Sequence, residues 1–421
     1  MSVEAAIADA HRREWALVLA ATARVAGDID LAEECVQDAY VAALEAWTRE
    51  GVPDNPGAWL TVTARRKALD AHRRARTARE KLPLLVVPDE EEDGTPDPEA
   101  IPDDRLRLIF TCCHPALARE AQVALTLRLV CGLTTAEIAR AFLVTESTMA
   151  ARVTRAKKKI SAARIAYRVP NAAELPDRLD AVLTVLHLIF TTGHTALNVA
   201  RGGAELVRAD LVERAIELTR ILRVLMPDER EVLALLALLT LTDARRATRT
   251  GPDGRLLLLE EQNRDEWDRA AIAEGTALVR ASLRGGRPGR FALQAAIAAL
   301  HAEARSYAET DWRQVLGLYD VLLEIWPSPV VALNRLVAVS MVDGPAAALA
   351  QLEELETDVR LAGYPYLPST KADILRRLRR PEQAAQAYRA ALALTENEQE
   401  REFLARRLAE VSGRERPGTA R

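Results

Sequence analysis

Apolar residues recur at three- and four-residue spacing along most of the chain, the period of helices that bury one face. Val3 to Val25 reads as one amphipathic helix and Ile29 to Trp47 as another. The second turns Leu31, Cys35, Ala39, Ala43 and Ala46 to a core and Glu33, Glu34, Gln37 and Asp38 outward. The loop Gly51–Gly57 breaks the pattern with turn residues, and Pro56 opens a third helix, PGAWLTVTARRKALDAHRRART. Its core side is expected to hold Trp59, Leu60, Val62, Thr63, Ala64 and part of Leu69, leaving a cationic stripe of Arg66, Lys67, Arg73 and Arg74. Between Leu133 and Ile160 the pattern tightens. Thr134 and Glu137 form a capping box, Ile138, Ala141 and Phe142 share a face, and Leu143-Val144-Thr145 turns the chain into a second helix from Glu146. Met149, Val153, Ala156 and Ile160 point inward; Thr148, Ala151, Arg152 and Arg155 point outward, running into Lys157-Lys158-Lys159. Asp177–Arg223 and Asp228–Arg246 read as further helices, with strongly apolar runs at Val182–Phe190 and Val232–Leu241. From Phe291 to Val411 helices follow in pairs, and Val342–Ala348 echoes Leu378–Ala384 at an offset of 36.

Composition agrees with an all-α fold: aromatics are 4% of the chain, and good helix formers dominate. At 421 residues several domains are expected. No run has the length of a membrane span, and the start lacks a signal peptide's charged-then-apolar layout, so a cytoplasmic location without membrane contact is expected. The four cysteines, Cys35, Cys112, Cys113 and Cys131, show no C-x-x-C spacing. Cys112, Cys113 and His114 adjoin, yet no second paired motif follows, so core packing is expected and no metal or cofactor. Without a Walker loop, G-x-S-x-G or H-E-x-x-H, the chain is not read as an enzyme. The segment around Gly193 and His194 is expected to interrupt an apolar helix and is a candidate pocket lining.

The net charge of -4 conceals blocks. Arg65–Lys81 is basic, Asp89–Asp104 acidic, and Arg152–Arg168 contains no acid. Two basic blocks flanking an acidic tether, residues 82–104, suggest two phosphate-contacting surfaces. A short apolar helix, a turn and a second helix with a small, hydroxylated, basic face have the geometry of a helix laid in a major groove. Basic residues beside Trp59 and a polar loop suit melted or single-stranded nucleic acid, with plain core packing as the other reading of Trp59.

The order of these parts is similar to the bacterial extracytoplasmic-function (ECF) sigma factors, initiation subunits of RNA polymerase. The resemblance rests on VQDAYVAALEAW, the Pro/Gly loop, WLTVTARRKALDAHRR, the acidic tether and the helix-turn-helix. With DDRLRLIFTCCHPAL and VALNRLVAV, the chain resembles the subgroup with a long C-terminal extension like tetratricopeptide (TPR) repeats. The resemblance implies region 2 at 1–81, the linker at 82–104 and region 4 at 105–168. A helical middle domain at 174–286, TPR-like repeats at 290–411 and a disordered tail at 412–421 would follow. Glu33, Glu34, Gln37 and Asp38 would dock on the β′ coiled coil of core RNA polymerase, whose β subunit is a further contact. Asn55, Trp59, Arg66, Lys67, Arg73 and Arg74 would engage the −10 element of promoter DNA. Thr148, Ala151, Arg152, Arg155, Lys157 and Lys158 would engage the −35 element, with Ala150 standing where many relatives carry a polar contact. The extension would regulate in cis and offer its concave side to a protein partner. Two other readings are a ligand- or partner-sensing helix-turn-helix regulator and a TPR-type scaffold.

Overall fold

Helix starts in this chain are set by short polar side chains and by proline. Asp28 accepts the backbone N–H of Leu31 at 2.9 Å, Thr145 that of Thr148 at 3.2 Å, and Asp268 that of Ala271 at 2.9 Å. Pro329, Pro345 and Pro381 each occupy a first helical position, where a missing N–H costs nothing. The computed structural model describes residues 3–80, 104–142, 144–171, 173–196, 204–252, 255–395 and 397–413. The acidic tether up to residue 103, Leu143 and the tail from 414 lie outside the described residues. As expected, the fold is all-α; among the described residues there is no strand, only an isolated bridge between Thr250 and Leu256. No described helix is long and apolar enough to cross a membrane. The chain divides into two units, Met1–Gly193 with Asp210–Ala215, and His194–Ala209 with Ile216–Arg421.

In the first unit, α1 (Val3–Ala26), α2 (Ile29–Glu50) and α3 (Pro56–Glu80) pack on one another. Their core holds Trp15, Leu19, Val36, Trp47, Leu60 and Ala64. Val62 and Leu69, expected inside, are instead 56% and 48% exposed. The buried stripe of α3 runs at four-residue steps through Leu60, Ala64 and Ala68, so Val62 and Leu69 project away from it. Next come α4 (Asp104–Cys112), α5 (Arg119–Leu125) with a π-helical continuation (Thr126–Val130), α6 (Thr135–Ala141), α7 (Glu146–Ala162) and α8 (Leu175–Ala196). Trp15 joins the two groups of helices: its Nε1 donates to the carbonyl of Leu129 at 3.1 Å. Gly132 has φ +71° and sits so close to the Trp15 ring that a Cβ would lie 3.0 Å from it, which requires glycine twice over. Tyr167 Oη adds bonds to the carbonyls of Ala20 and Asp104. The apolar face of α8 is buried, and the helix runs unbroken through Gly193 and His194 to Ala196. The expected interruption there is absent, because Gly193 keeps helical geometry when its neighbours supply the ladder.

The second unit contains most of α9 (Ala204–Leu225), then α10 (Arg230–Asp243), α11 (Arg269–Ser282), α12 (Arg290–Glu303), α13 (Trp312–Ile325), α14 (Pro329–Val342), α15 (Pro345–Leu355), α16 (Tyr366–Arg377), α17 (Pro381–Leu394) and α18 (Glu398–Val411). The Val232–Leu241 run lies in α10, which α11 and α12 cover. Glu231 reaches to the start of α12 and accepts the N–H groups of Phe291 and Ala292, an anion at a helix N-terminus. The 36-residue echo is structural. Pro345 and Pro381 open equivalent helices, Ala348 and Ala384 are both fully buried, and Leu352 and Tyr388 fill equivalent seats. Each repeat pairs a helix with an Ala-rich partner, α14 with α15 and α16 with α17, so that neighbouring pairs stack.

His301, at the end of α12, is half-buried, and its pKa falls to about 4 through loss of solvent first and the nearby Arg245 and Arg264 charges second. A histidine held neutral in the fold takes up its proton more readily when unfolded. Its contribution is therefore complete above the ordinary value of 6.5 and is lost as pH falls toward 4. Acid unfolding of the chain is expected to steepen across that window, and His301→Gln should remove about 3 kcal/mol of the pH dependence. Denaturant titrations of both proteins at neutral and acid pH check this; parallel curves would contradict it.

Candidate nucleic-acid interface

The capping box that starts α6 is formed as its sequence requires. Glu137 Oε2 accepts the N–H of Thr134 at 2.7 Å, and Thr134 Oγ1 accepts the N–H of Glu137 at 3.2 Å. Across the turn, Met149, Val153, Ala156 and Ile160 seat α7 on the core. This leaves Thr148, Ala151, Arg155 and Lys158 exposed and Arg152 half-buried on the other side. The Arg155 guanidinium lies back along the helix, with Nε donating to the carbonyl of Ala151 at 3.2 Å. A hydroxyl and two guanidiniums thus share one convex face, with a small Ala between them to permit close approach.

Lys157 takes a different place. Its ammonium donates to Asp30 at 2.7 Å and to Glu33 at 2.6 Å, and its side chain is only 13% exposed. Glu33, expected to face outward, is buried, and its other oxygen meets Arg128 Nη2 at 2.5 Å. One carboxylate of α2 thus lies between a cation from the π-helical turn and one from α7. Burial by itself would lower the Lys157 pKa, but the bonds to Asp30 and Glu33 outweigh it and hold the value above the ordinary 10.5. Two residues that the sequence reading assigned to different surfaces are therefore brought together.

The rest of the α2 face is open. Glu34, Gln37 and Asp38 are exposed, and the face continues through Val41 and Leu44, 62% and 45% exposed, which the sequence reading did not include. Their signal was available: both fall at helical spacing from Asp38 and Gln37, off the buried stripe. Asp38 lies 3.6 Å from Lys67 of α3 in an exposed pair of little energetic weight.

On α3, Arg66, Arg73 and Arg74 are exposed, interleaved with the exposed Val62 and Leu69. Arg73 pairs with Asp70 at 3.3 Å. Trp59 is half-buried, edge-to-face with Trp47 at 5.7 Å between ring centroids, so it packs and keeps a free flank at once. Asn55 caps α3, its Oδ1 accepting the N–H of Ala58 at 2.9 Å. That role was legible as an Asn directly before a helix-opening Pro. Elsewhere in the unit Cys112, Cys113 and Cys131 are buried; burial pushes the Cys113 thiol up to about 11, and its Sγ is 3.5 Å from Thr126 Oγ1. Among the described residues no three His, Cys, Asp or Glu side chains gather as a metal site.

Comparison with known proteins places family matches on these parts. Residues 10–78 match the model of Sigma-70 region 2, and residues 107–160 that of Sigma-70, region 4. Residues 178–283 match a family of unknown function, DUF6596. An uncharacterized protein of Rhizobium meliloti (strain 1021), R00370, is 43% identical over 382 residues, covering 90% of this chain and 89% of that protein. A probable ECF RNA polymerase sigma factor of Mycobacterium tuberculosis, SigI, is 29% identical over 224 residues in each of two strains, covering 50% of this chain and 76% of SigI. No solved structure matches.

Proposed function

Because the chain belongs to the sigma-70 family, as an ECF sigma factor with a long C-terminal helical extension, we propose that it works by dividing polymerase docking and promoter reading among α2, α3 and α7. In this reading α2 docks on the β′ coiled coil of core RNA polymerase through Glu34, Gln37 and Asp38, with Val41 and Leu44 extending the contact. The stripe of α3, with Asn55 and Trp59 at its start, engages the −10 element, and Thr148, Ala151, Arg152, Arg155 and Lys158 of α7 engage the −35 element. The observation that carries the reading is the juxtaposition of an acid-and-apolar face on α2, a cationic face on α3 and a basic helix-turn-helix in one unit. Lys157 and Glu33 belong to the same reading, but each must exchange its present partner before it can serve DNA or polymerase. The extension acts in cis, with its repeats presenting a surface to a partner.

In vitro transcription with core polymerase, from the region upstream of the protein's own gene, tests the reading. Specific transcripts are expected with the full chain and none with core alone. Asp38→Lys together with Glu34→Lys should lower affinity for core at least tenfold while leaving the helical signal intact, since both side chains are exposed. Unchanged capture of β′ by the double variant would remove α2 from the docking role.

A further inference from the structure

The stacked helices of the extension leave two adjoining chambers. The larger, about 350 Å³, reaches from the end of α12 to α18; the smaller, about 220 Å³, lies toward α10. Leu259, His301, Tyr319 and Asn334 face both. Taken together, their volume falls in the range of small-molecule sites, whose usual form is an apolar room with a few convergent polar groups.

The walls carry that chemistry. The larger chamber is lined by the rings of Tyr307, Trp312, Tyr319 and Phe403. Among the residues that line it, Ser340 Oγ, His301 Nδ1 and Trp312 Nε1 are buried atoms without a hydrogen-bond partner, and Ser340 as a whole is 7% exposed. Buried polar groups are nearly always satisfied, so three unpaired ones on lining residues leave hydrogen-bonding capacity beside the chamber that the protein itself does not use. Of the acids there, Asp373 is held by Arg376 and Arg377, and Glu260 is exposed at the rim.

The smaller chamber is lined by Arg245, whose charged neighbours are the cations Arg249 and Arg264. Burial and that like charge push its pKa down to about 10. Arg264 bonds the carbonyls of His301 and Ala304 through Nη1 and leaves its buried Nη2 without a partner. Guanidiniums removed from water ordinarily meet a carboxylate; Arg249 has Glu400 and Asp243 nearby, whereas Arg245 and Arg264 have only other cations as charged neighbours among the described residues.

We infer that the extension binds a small organic acid, its apolar or aromatic body in the larger chamber and its carboxylate on Arg245 in the smaller. The inference rests on residues 238–407 alone, so its failure would leave promoter reading untouched. The chambers are too small for a folded partner, although the free C-terminus of a peptide offers the same carboxylate chemistry.

The test is thermal unfolding and calorimetric titration of the full chain with 3-phenylpropionate, indole-3-acetate and decanoate, each beside its primary amide. A short peptide ending in Phe, with free or amidated terminus, is the other arm. At least one acid at millimolar concentration is expected to raise the unfolding midpoint while its amide does not. Arg245→Met should weaken that binding at least tenfold. Without ligand, Arg245→Met should melt no lower than the wild type, because it removes a charge that has no partner. Ser340→Val, which blocks the larger chamber without touching charge, gives the same loss of binding should Arg245→Met not fold. The inference is overturned if no acid shifts the midpoint, if the amides act equally, or if the peptide acid binds more tightly than every free acid. An Arg245→Met protein that binds an acid as the wild type does overturns it as well.

Discussion

Glu33→Ala is expected to destabilise the first unit by about 3–5 kcal/mol, the cost of leaving buried charge without its counter-charge. Glu33 Oε1 faces Arg128 at 2.5 Å and Oε2 faces Lys157 at 2.6 Å, with its side chain 8% exposed. Removing the carboxylate leaves two cations directed at one vacated position. Asp30 cannot take over, because it is 63% exposed and touches only Lys157. Asp30→Ala is therefore the control, expected to cost less than about 1 kcal/mol as an exposed pair. Urea unfolding of the two variants decides the matter. Equal costs would mean that the carboxylate is not clasped in solution. Because the Lys157 pKa is raised, this contribution is complete below its ordinary value of 10.5 and is lost only as pH rises through the raised one.

Arg152→Ala combined with Arg155→Ala is expected to reduce −35-dependent transcription about thirtyfold or more. Each guanidinium in contact with a base edge or phosphate contributes about 1–3 kcal/mol, and the low end taken twice already gives that factor. Neither residue seats α7 on the core, which is the work of Met149, Val153, Ala156 and Ile160, so the helical signal should persist. Transcription from templates with an intact and a scrambled −35 element separates recognition from general loss. A double variant that still distinguishes the two templates would remove α7 from the reading role.

What could be read from the sequence followed from local periodicity. The capping box at Thr134 and the buried side of α7 depend on residues within a few turns of one another, and the 36-residue repeat shows as a short local pattern occurring twice; each is realised. Glu33 was hidden because its partners lie far along the chain and because four polar residues in a short span of α2 disguise the one at the edge of the buried stripe. Val62 and Leu69 were misplaced for the opposite reason: a stripe as narrow as Leu60, Ala64 and Ala68 leaves larger apolar residues outside it. The chambers of the extension gather walls from helices scattered between α10 and α18, a convergence that no local pattern records.

The bonds that fasten the first unit also distribute mutational risk unevenly. Trp15 donates to the carbonyl of Leu129, Tyr167 to those of Ala20 and Asp104, Arg178 to that of Phe110, and Arg119 to that of Ala181. Every acceptor is a backbone oxygen, which substitution of its own side chain does not delete, whereas every donor is a side chain that one codon change abolishes. Drift can proceed on the accepting side as long as size and polarity suit the core, while the four donors are exposed to loss. Glu33 stands apart, since both ends of its bonds are side chains and a change at any of three codons opens the clasp.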